Sequence, residues 1–376
     1  MTKILHLAQS AGYGVTIYVE SLIKGLANRG FEQVLLGSEY YNRKRFKSIV
    51  DKLVTIKMER EISPRDLEAI KECRRVIRQE KPDIVYCHSS KAGIYGRVAC
   101  LGSKVKVVYN PHGWAFNMRC SFLKRIFYKA AETTLSLATD KIVVISNSEK
   151  VSTPWTIARR KLVTILNGID IQHGLEKLRR TRITRKEVGL DETDFVIGLI
   201  ARISVQKGQD LLVEIAKEVV MEIPNAKFLL VGGKSDDMPI EAMIDRAGMK
   251  GRFIITGEVE DAIMYATLFD VAILTSRWEG FGLVLPEYML AKRPIVAFDV
   301  DAVGEVVTDG EEGLLVRAGD IQCFARSICK LYKDRQLRER LGEAGFQKAS
   351  KHYDIKRVCE EHAALFQELT HRKNNQ

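Results

Sequence analysis

The stretch that decides the fold runs from Phe195 to Val220 and reads FVIGLIARISVQKGQDLLVEIAKEVV. Its first part, Phe195–Ala201, is continuously apolar, which is typical of a strand buried on both faces of a parallel sheet. After a polar loop, apolar residues recur at helical spacing. They are Leu211, Leu212, Ile215, Ala216 and Val219. A buried strand followed by an amphipathic helix predicts a strand–helix unit of an α/β protein.

Similar units repeat along the whole chain. In the first half, the predicted strands are Lys3–Ala8, Gln33–Gly37, Asp83–His88, Val105–Asn110, Lys141–Ser146 and Leu162–Asn167. In the second half they are Phe195–Ala201, Lys227–Gly233, Phe253–Gly257, Val271–Ser276, Pro294–Asp299 and Gly313–Val316. Amphipathic stretches separate these runs, so the fold class is α/β with two doubly wound domains.

The boundary between the domains is visible in the sequence. The chain has 376 residues, and domains typically have ~100–200 residues, which suggests two of them. Asn167–Asp170 (NGID) is a turn signal, and a polar, basic stretch follows it. We therefore predict an N-terminal domain at 1–170, a linker at 171–194 and a C-terminal domain at 195–353. A final helix at about 354–372 is predicted to pack back on the N-terminal domain.

Composition excludes several classes of protein. Hydrophobic residues make up 46% and charged residues 28% of the chain, which is typical of a soluble globular protein. No apolar run approaches the ~18 residues of a membrane span, and the N-terminus does not resemble a signal peptide. None of the seven cysteines forms a C-x-x-C pair, so neither a zinc site nor a disulfide framework is indicated. These features predict a cytoplasmic protein.

Charge is distributed unevenly between the two halves. Residues 1–185 hold 34 Lys and Arg against 16 Asp and Glu, whereas residues 186–376 hold 25 against 32. A basic first half suits an anionic partner, which could be nucleic acid, an acidic membrane surface or a phosphate-bearing substrate. The alternative is that the charge only keeps the surface solvated. Since the sequence contains no nucleic-acid-binding motif, we expect no nucleic-acid partner. No feature predicts an oligomeric state.

Two loops have the composition of phosphate-binding segments. Gly12 and Gly14 lie between the first strand and a helix predicted at Thr16–Asn28, where a helix N-terminus attracts anions. The segment matches the dinucleotide-binding fingerprint poorly. It can therefore be interpreted either as a structural turn or as a ligand-binding loop. Arg202 and Lys207 follow a strand of the second domain, at the edge where open α/β sheets bind ligands. They suit a diphosphate, although a solvated loop is the alternative.

Two glutamates form a second constellation. Glu279 lies in a glycine-rich loop and Glu287 lies eight residues later, at the start of a predicted helix opened by Pro286. Carboxylates accept strong hydrogen bonds from hydroxyl groups, so the pair suits a hydroxyl-rich ligand. Two solvated glutamates at a capped helix start are the alternative.

The segment Glu279–Glu287, EGFGLVLPE, resembles the E-x7-E signature of retaining glycosyltransferases of family four, which have GT-B architecture. Other matches occur in the family's order along nearly the whole chain. They are Asn167–Asp170, Arg202, Lys207–Gly208, Val231–Gly233, Gly257–Val259, Pro294–Asp299, Gly304–Val307 and Asp309–Val316. Asp301 and Ala302, where the family often has two glycines, and Tyr288, where it usually has alanine, depart from the pattern near the expected donor pocket.

The resemblance implies two Rossmann-like domains facing across a cleft, with the reaction in that cleft. A sugar would pass from a nucleotide-diphosphate donor to an acceptor hydroxyl with retention of configuration. Arg202 and Lys207 would stabilise the leaving diphosphate, Glu279 would hold the sugar and Glu287 the ribose. The other donor-binding residues implied are Gly12, Gly14, Gly232, Gly233, Glu258, Val259, Phe281, Gly282 and Leu283. No metal site and no cofactor are implied, and a UDP-sugar is favoured over a GDP-sugar.

In the first half, His88–Gly93 and Pro111–Trp114 are similar to bacterial members that assemble surface polysaccharides. This similarity implies that His112 orients the donor sugar or the acceptor, and it makes His112 and Lys91 the candidate acceptor-binding residues. Such enzymes commonly use lipid-diphosphate-linked acceptors, so we expect a lipid-linked or a soluble saccharide acceptor. Two segments that mix aromatic and basic residues, Arg43–Lys47 and Met118–Lys129, predict binding to the inner face of an anionic cytoplasmic membrane. The alternative is that their aromatic residues belong to the core and their cations form a solvated face.

Two other functions fit the same residues. A nucleotide-sugar epimerase of GT-B shape would turn over its substrate without any acceptor. A non-catalytic nucleotide-sugar-binding protein would bind the donor and turn over nothing. Acceptor-dependent turnover distinguishes a transferase from both.

Overall fold

The computed structural model describes residues 1–9, 13–39, 41, 43–59, 63–180, 183–235 and 237–371. Contacts divide the chain into two compact units. Unit 1 comprises Met1–Asn167 and Ile355–Gln376, and unit 2 comprises Gly168–Asp354. Each unit contains one parallel sheet with helices, so the predicted α/β class with two doubly wound domains is confirmed.

Unit 1 is built on a seven-stranded parallel sheet of order β3-β2-β1-β4-β5-β6-β7. Its strands are β1 (Thr2–Ala8), β2 (Phe31–Ser38), β3 (Lys52–Ile56), β4 (Ile84–His88), β5 (Lys106–Asn110), β6 (Lys141–Val144) and β7 (Leu162–Thr164). Its first six helices are α1 (Tyr13–Leu26), α2 (Arg43–Lys47), α3 (Asp66–Glu80), α4 (Ser90–Ala99), α5 (Phe122–Ser136) and α6 (Asn147–Ser152).

Unit 2 is built on a six-stranded parallel sheet of order β10-β9-β8-β11-β12-β13. Its strands are β8 (Phe195–Ile200), β9 (Ala226–Val231), β10 (Phe253–Ile255), β11 (Val271–Leu274), β12 (Ile295–Asp299) and β13 (Gly313–Arg317). Its helices are α7 (Ile171–Arg180), α8 (Gln209–Glu222), α9 (Ile240–Arg246), α10 (Val284–Leu290), α11 (Val303–Val306), α12 (Ile321–Lys333) and α13 (Arg335–His352), with a 3-10 helix at Ala262–Leu268.

The last helix, α14 (Ile355–His371), belongs to unit 1, although the whole of unit 2 precedes it in the chain. It packs against α1. Val358, Leu365 and Phe366 of α14 are buried in the same apolar cluster as Leu22 of α1 and Leu35 of β2. Unit 1 is therefore completed by a helix that is distant in sequence.

The structure differs from the predicted elements in three places. It contains an additional strand, β3, whose residues are mostly half-exposed and which therefore lacks a continuous apolar run. Helix α1 begins at Tyr13, so Gly14 lies in its first turn, while Gly12 falls outside the described residues. The segment 171–194, which the sequence predicts as a linker, contains α7, and this helix lies in unit 2.

The strand orders fix where a ligand can bind in each unit. In both sheets the order reverses beside the first strand of the unit, between β1 and β4 and between β8 and β11. Open α/β sheets bind ligands outside the carboxyl ends of the strands at such a reversal. We therefore expect functional residues in the loops that follow β8 and β11 of unit 2 and in those that follow β1, β4 and β5 of unit 1. In the described ranges, every helix is too short or too polar to cross a membrane.

Candidate functional site

The loops after β8 and β11 of unit 2 are tied together by side chains. Thr275 Oγ1 donates a hydrogen bond to the Lys207 carbonyl oxygen at 2.8 Å. Arg277 Nη1 and Nη2 pair with the two carboxylate oxygens of Asp210 at 2.8 and 2.5 Å. Burial alone would raise the pKa of Asp210, but the bonds from Arg277 outweigh burial and lower it. The two loops therefore form one preorganised edge of the unit 2 sheet.

Gly208 allows the two loops to approach this closely. Its φ is +69°, in the left-handed region that favours glycine. A Cβ atom added there would lie 2.2 Å from the Thr275 carbonyl oxygen. A side chain at position 208 would push the loops apart and move Lys207 with them.

Lys207 and Glu279 meet at this edge. Lys207 Nζ lies 2.5 Å from Glu279 Oε1, and Ser276 Oγ donates to the same oxygen at 2.6 Å. The Glu279 residue is 7% exposed. A buried carboxylate is stable only when it is paired, and here it has a cation and a hydroxyl donor. The structure thus brings together two of the four predicted catalytic residues.

Arg202 lies just after β8 and is the second cation of this edge. Gln209 Nε2 holds its carbonyl oxygen at 3.1 Å, which fixes the backbone. Within the described residues, no carboxylate pairs with the Arg202 guanidinium. The guanidinium is therefore free to bind an anion.

Asp301 adds a carboxylate that sequence analysis noted only as a departure from the family pattern. Its Oδ2 accepts the Glu279 backbone N–H at 2.8 Å. Its φ of +44° is left-handed, as the glycine of the family pattern would allow. Burial raises the pKa of Asp301, and the charge of Glu279 raises it further against that hydrogen bond. Glu279 is thus held through its backbone as well as through its side chain.

Tyr288, the other departure, is a core residue. It is fully buried, and its hydroxyl accepts the Ile200 N–H at 2.7 Å and donates to the Ile273 carbonyl oxygen at 3.4 Å. Its side chain is therefore not exposed to a ligand, whereas the expectation that position 288 lies near the donor pocket stays a prediction. The side chain fills the core between α10 and the strands β8 and β11.

Glu287 lies in α10 with no hydrogen-bond partner for its carboxyl group among the described side chains. Burial raises the pKa of Glu287 to about 7, although the charge of Lys177 lowers it. An unpaired, half-buried carboxyl group is costly unless a ligand satisfies it. This group can accept hydrogen bonds from a pair of hydroxyls.

The remaining predicted donor residues follow neighbouring strands. Gly232 follows β9, and its N–H bonds the Gly257 carbonyl oxygen at 3.1 Å, which places Gly233, Glu258 and Val259 at the same edge of the sheet. Gly282 and Leu283 directly precede α10. The Phe281 side chain is buried and packs against Tyr353, at 5.7 Å between ring centroids, so only its backbone can face a ligand.

His112 follows β5 in unit 1 and is rigidly held. Its φ is +53°, and its N–H donates to Asn110 Oδ1 at 2.9 Å. Its Nε2 lies 3.2 Å from His88 Nδ1. The next residue, Gly113, donates its N–H to Glu149 Oε1 at 2.7 Å. The imidazole is only partly buried, so it can contact a ligand at the carboxyl edge of the unit 1 sheet.

Lys91 is engaged within unit 1. Its Nζ donates to the Glu59 carbonyl oxygen at 2.7 Å and pairs with Asp66 Oδ1 at 3.0 Å. Only 12% of its side chain is exposed. Any phosphate at this position would have to compete with both partners.

Sequence reasoning missed the residues that hold the site in place. Asp301, the Asp210–Arg277 pair and Glu149 act through contacts between residues that lie 22, 67 and 36 positions apart. Ser276 bonds Glu279, three residues later, through a loop whose shape the sequence does not reveal. No local sequence pattern marks these contacts. The one available signal was that Ser276 and Asp301 lie close to the glutamate motif in the sequence. Across the described ranges, no cluster of three metal-ligating side chains is present.

Two family models together match most of the chain. The family model described as "Glycosyl transferases group 1" matches residues 180–348, and that described as "Glycosyltransferase Family 4" matches residues 13–173.

Two curated bacterial proteins illustrate the similarity. The UDP-Gal:alpha-D-GlcNAc-diphosphoundecaprenol alpha-1,3-galactosyltransferase of Escherichia coli is 26% identical over 280 residues, which cover 73% of this chain and 72% of that protein. The capsular polysaccharide biosynthesis glycosyltransferase CapM of Staphylococcus aureus is 25% identical over 311 residues, 80% of each chain.

Among solved structures, Anabaena Alr3699/HepE in complex with UDP and glucose has a TM-score of 0.83 at 20% identity. The match covers 98% of this chain and all of that one. This likeness agrees with a GT-B architecture of two Rossmann-like units.

Proposed function

Since the chain belongs to the glycosyl transferases of group 1 and family 4, we propose that it moves a sugar from a nucleotide-diphosphate donor to a saccharide hydroxyl with retention of configuration. The observation that carries the proposal is the cluster of Lys207, Glu279 and Ser276 beside the unpaired Arg202. Two cations and a hydrogen-bonded carboxylate at one sheet edge suit a sugar diphosphate.

Each group of unit 2 has a separate task in this proposal. Negative charge grows on the diphosphate as the bond to the sugar breaks, and Arg202 and Lys207 stabilise that charge in place. Glu279 accepts hydrogen bonds from hydroxyls of the donor sugar through the oxygen that Lys207 does not occupy. Glu287 accepts the ribose hydroxyls, which satisfies its otherwise unpaired carboxyl group. Unit 1 binds the acceptor, and His112 orients a saccharide hydroxyl.

We propose that the donor is a UDP-sugar and the acceptor a lipid-diphosphate-linked saccharide in bacterial surface-polysaccharide assembly. The E. coli relative is named for UDP-Gal and a diphosphoundecaprenol-linked sugar, and the S. aureus relative for capsule biosynthesis. The structural neighbour binds UDP and glucose. These names support the donor and acceptor classes without identifying the sugar.

A two-step experiment tests the proposal. Thermal shift with UDP, GDP and their sugars should raise the melting temperature most with uridine ligands, because a ligand that binds only the native state stabilises it. UDP release is then measured with and without polyprenyl-diphosphate saccharides. Acceptor-dependent release supports the transferase. Turnover without an acceptor indicates the epimerase, and binding without turnover on any acceptor indicates the non-catalytic protein.

Helix α5 is the candidate membrane-binding surface. Phe122, Leu123, Ile126 and Phe127 are 72, 77, 50 and 63% exposed, on a helix that also carries Lys124, Arg125 and Lys129 at its surface. Large apolar side chains interleaved with cations fit an interfacial helix on an anionic bilayer. The other predicted segment does not share this property, because Phe46 of α2 is fully buried against Tyr41.

We expect replacement of Phe122 and Phe127 by Ser to abolish binding to vesicles that contain anionic lipid. Burying two phenylalanines contributes ~1.5–3 kcal/mol each, and each cation near the surface adds ~1 kcal/mol. Co-sedimentation of the native protein should require anionic lipid and fall with added salt. Leu67→Ser, at an exposed leucine of α3, is the matched control. Equal binding to neutral vesicles, or no binding at low salt, contradicts the membrane proposal.

We expect Glu287→Gln to stabilise the free protein at pH 8 and to weaken its binding of UDP. The folded pKa of about 7 lies above the ordinary 4.5, so ionisation of Glu287 destabilises the fold progressively from about pH 4.5 to 7 and fully above that range. Glutamine removes that cost of ~1–3 kcal/mol. Melting temperatures at pH 4.5 and pH 8 measure it, with exposed Glu214→Gln as control. If Glu287→Gln leaves the melting temperature at pH 8 unchanged, ionised Glu287 does not destabilise the fold.

A further inference from the structure

The backbone of His112 has a conformation that its surroundings must hold. Its φ of +53° lies in the left-handed region, which residues other than glycine rarely occupy. Such a conformation persists only where neighbouring groups determine it. Two bonds fix this loop, because the His112 N–H donates to Asn110 Oδ1 and the Gly113 N–H donates to Glu149 Oε1. The position of His112 therefore depends on what fixes these two acceptors.

The amide of Asn110 has a defined orientation. A backbone N–H can only donate, so the Asn110 atom that bonds His112 at 2.9 Å is the amide oxygen. The amide nitrogen, Nδ2, donates to the hydroxyl oxygen of Tyr86, on the neighbouring strand β4, at 3.3 Å. A reversed amide would place its NH2 group against the His112 N–H, so that two donors faced each other. The orientation therefore requires that the Tyr86 oxygen accepts.

The Tyr86 oxygen accepts because the Tyr86 proton is used elsewhere. Tyr86 Oη lies 2.9 Å from His362 Nε2 of α14. The other ring nitrogen, Nδ1, lies 2.7 Å from the Val358 carbonyl oxygen, which can only accept, so Nδ1 carries a proton. Burial lowers the pKa of His362 to about 4, and the neutral ring has no second proton. His362 Nε2 is therefore an acceptor.

Tyr18 of α1 is the second hydroxyl beside this nitrogen. Its Oη lies 3.1 Å from His362 Nε2 and 3.5 Å from Tyr86 Oη. Nε2 has one lone pair, and the shorter distance favours Tyr86 as its donor. If Tyr18 used that lone pair instead, Tyr86 would donate to Tyr18. In both arrangements the Tyr86 proton points away from Asn110, so the direction of the chain of hydrogen bonds is the same.

We propose that His362, acting through Tyr86 and Asn110, is a positioning residue of the acceptor site. This chain of hydrogen bonds holds His112 in the left-handed conformation that presents its imidazole to a saccharide hydroxyl. The ligand class rests on the proposed function, whereas the direction of the chain rests on the hydrogen bonds. His362, Tyr86 and Asn110 are fully buried and do not touch the substrate. The last helix of the chain thus contributes to a loop that follows β5.

The direction of the chain can be measured in the native protein without any ligand. Long-range proton–nitrogen correlation NMR of protein labelled at its histidines distinguishes the protonated from the unprotonated nitrogen of each ring. We expect a neutral His362 with its proton on Nδ1, and exposed His173 serves as the titrating internal reference. A proton on His362 Nε2, or a charged His362 ring at pH 7.5, overturns the proposal.

Hydrogen exchange in Tyr86→Phe tests whether the chain holds His112. This variant keeps the ring and removes the oxygen that accepts from Asn110. We expect the His112 amide to exchange about 3- to 10-fold faster, the factor that corresponds to the net contribution of one hydrogen bond. The Gly113 amide, which Glu149 holds independently, should keep its rate. Equal acceleration of both amides, as in a general loss of stability, or no change at either amide, overturns the proposal.

Transfer kinetics test the consequence for the reaction. In Tyr86→Phe, kcat/KM for the acceptor should fall about 10- to 100-fold, because a misplacement of about 1 Å can cost on the order of 10²-fold. Calorimetric affinity for UDP should not change, since we assign UDP to unit 2. Tyr109→Phe is the matched control and should keep the native rate. Tyr109 precedes Asn110 in β5, lies in the apolar cluster on the other face of the sheet, and donates to buried Glu132 at 3.1 Å.

Two variants of His362 separate hydrogen bonding from packing. His362→Leu removes the acceptor of the Tyr86 proton and should reproduce both effects of Tyr86→Phe. His362→Gln supplies an amide oxygen in place of Nε2, so it should restore the slow exchange of the His112 amide and most of the turnover. Equal losses in the two variants contradict the proposal, because the effect then comes from packing.

The outcomes distinguish this proposal from the proposed function. Native turnover in Tyr86→Phe, despite faster exchange of the His112 amide, contradicts the positioning role. Native protein that turns over no acceptor refutes the transferase and with it the ligand class. If that protein still has Nδ1–H at His362 and the selective change in exchange at His112, the hold of α14 on this loop is supported independently.

Discussion

Lys207→Ala should lower kcat for sugar transfer on the order of 10²-fold or more, the typical cost of removing one preorganised group that stabilises transition-state charge. Lys207 is fixed by the Thr275 bond to its own carbonyl and by its ion pair with Glu279. Its ammonium is therefore already in position when the diphosphate begins to leave. The substitution also leaves the 7%-exposed Glu279 without its cation, which adds to the loss.

Steady-state rates of UDP release, measured with acceptor in excess, test this expectation. Lys217→Ala is the matched control, because Lys217 lies in α8 of the same unit and pairs at the surface with Glu214. Circular dichroism and melting temperature establish that each variant is folded. A Lys207→Ala protein that is folded and turns over at the native rate would remove Lys207 from the site.

Glu279→Gln should impair the use of the whole donor while it spares binding of bare UDP. A hydrogen bond to a charged group is worth ~1.5–3 kcal/mol, which corresponds to about 10- to 150-fold in kcat/KM. The amide oxygen of glutamine still accepts from Ser276 and Lys207, so the loop keeps its shape. What is lost is the negative charge that we propose holds the sugar hydroxyls.

Glu287→Gln is the natural comparison, because it should weaken the binding of UDP itself. Titration of both variants with UDP and with the complete UDP-sugar separates the two roles. If Glu279→Gln weakened the binding of bare UDP and Glu287→Gln left that binding unchanged, the assignments of the two glutamates would be reversed. Glu343→Gln, at an exposed residue paired with Lys292, controls for loss of a surface charge.

The predicted strands were found because burial on both faces of a parallel sheet leaves a continuous apolar run. Strand β3 lacks this property, since Lys52 is exposed and only Ile56 is buried, and the sequence did not reveal it. The glutamate motif and the two cations were recognised individually. Their pairing was not, because Lys207 and Glu279 are 72 residues apart and only the strand order of unit 2 brings them together.

Composition also could not separate surface from core. Phe46 and Phe122 each lie among cations in the sequence, yet Phe46 is fully buried and Phe122 is 72% exposed. Phe46 has an aromatic neighbour in Tyr41 at 5.1 Å, whereas α5 turns its apolar side outward. Likewise, no local signal marked the contact between His88 and His112, which lie 24 residues apart and are brought together by the pairing of β4 with β5. Tertiary pairing decides these cases.

The return of α14 to unit 1 has a consequence for biosynthesis. The ribosome synthesises Met1–Asn167 first, then all of unit 2, and only then the helix that covers the sheet face bearing His6 and His88. At ~5–20 residues per second, the residues from Gly168 to Asp354 take on the order of 10–40 s to make. Throughout that time α1 is the part of this cover already made, so the apolar surface that α14 later buries stays open to chaperones, while the uninterrupted Gly168–Asp354 segment can fold as it emerges.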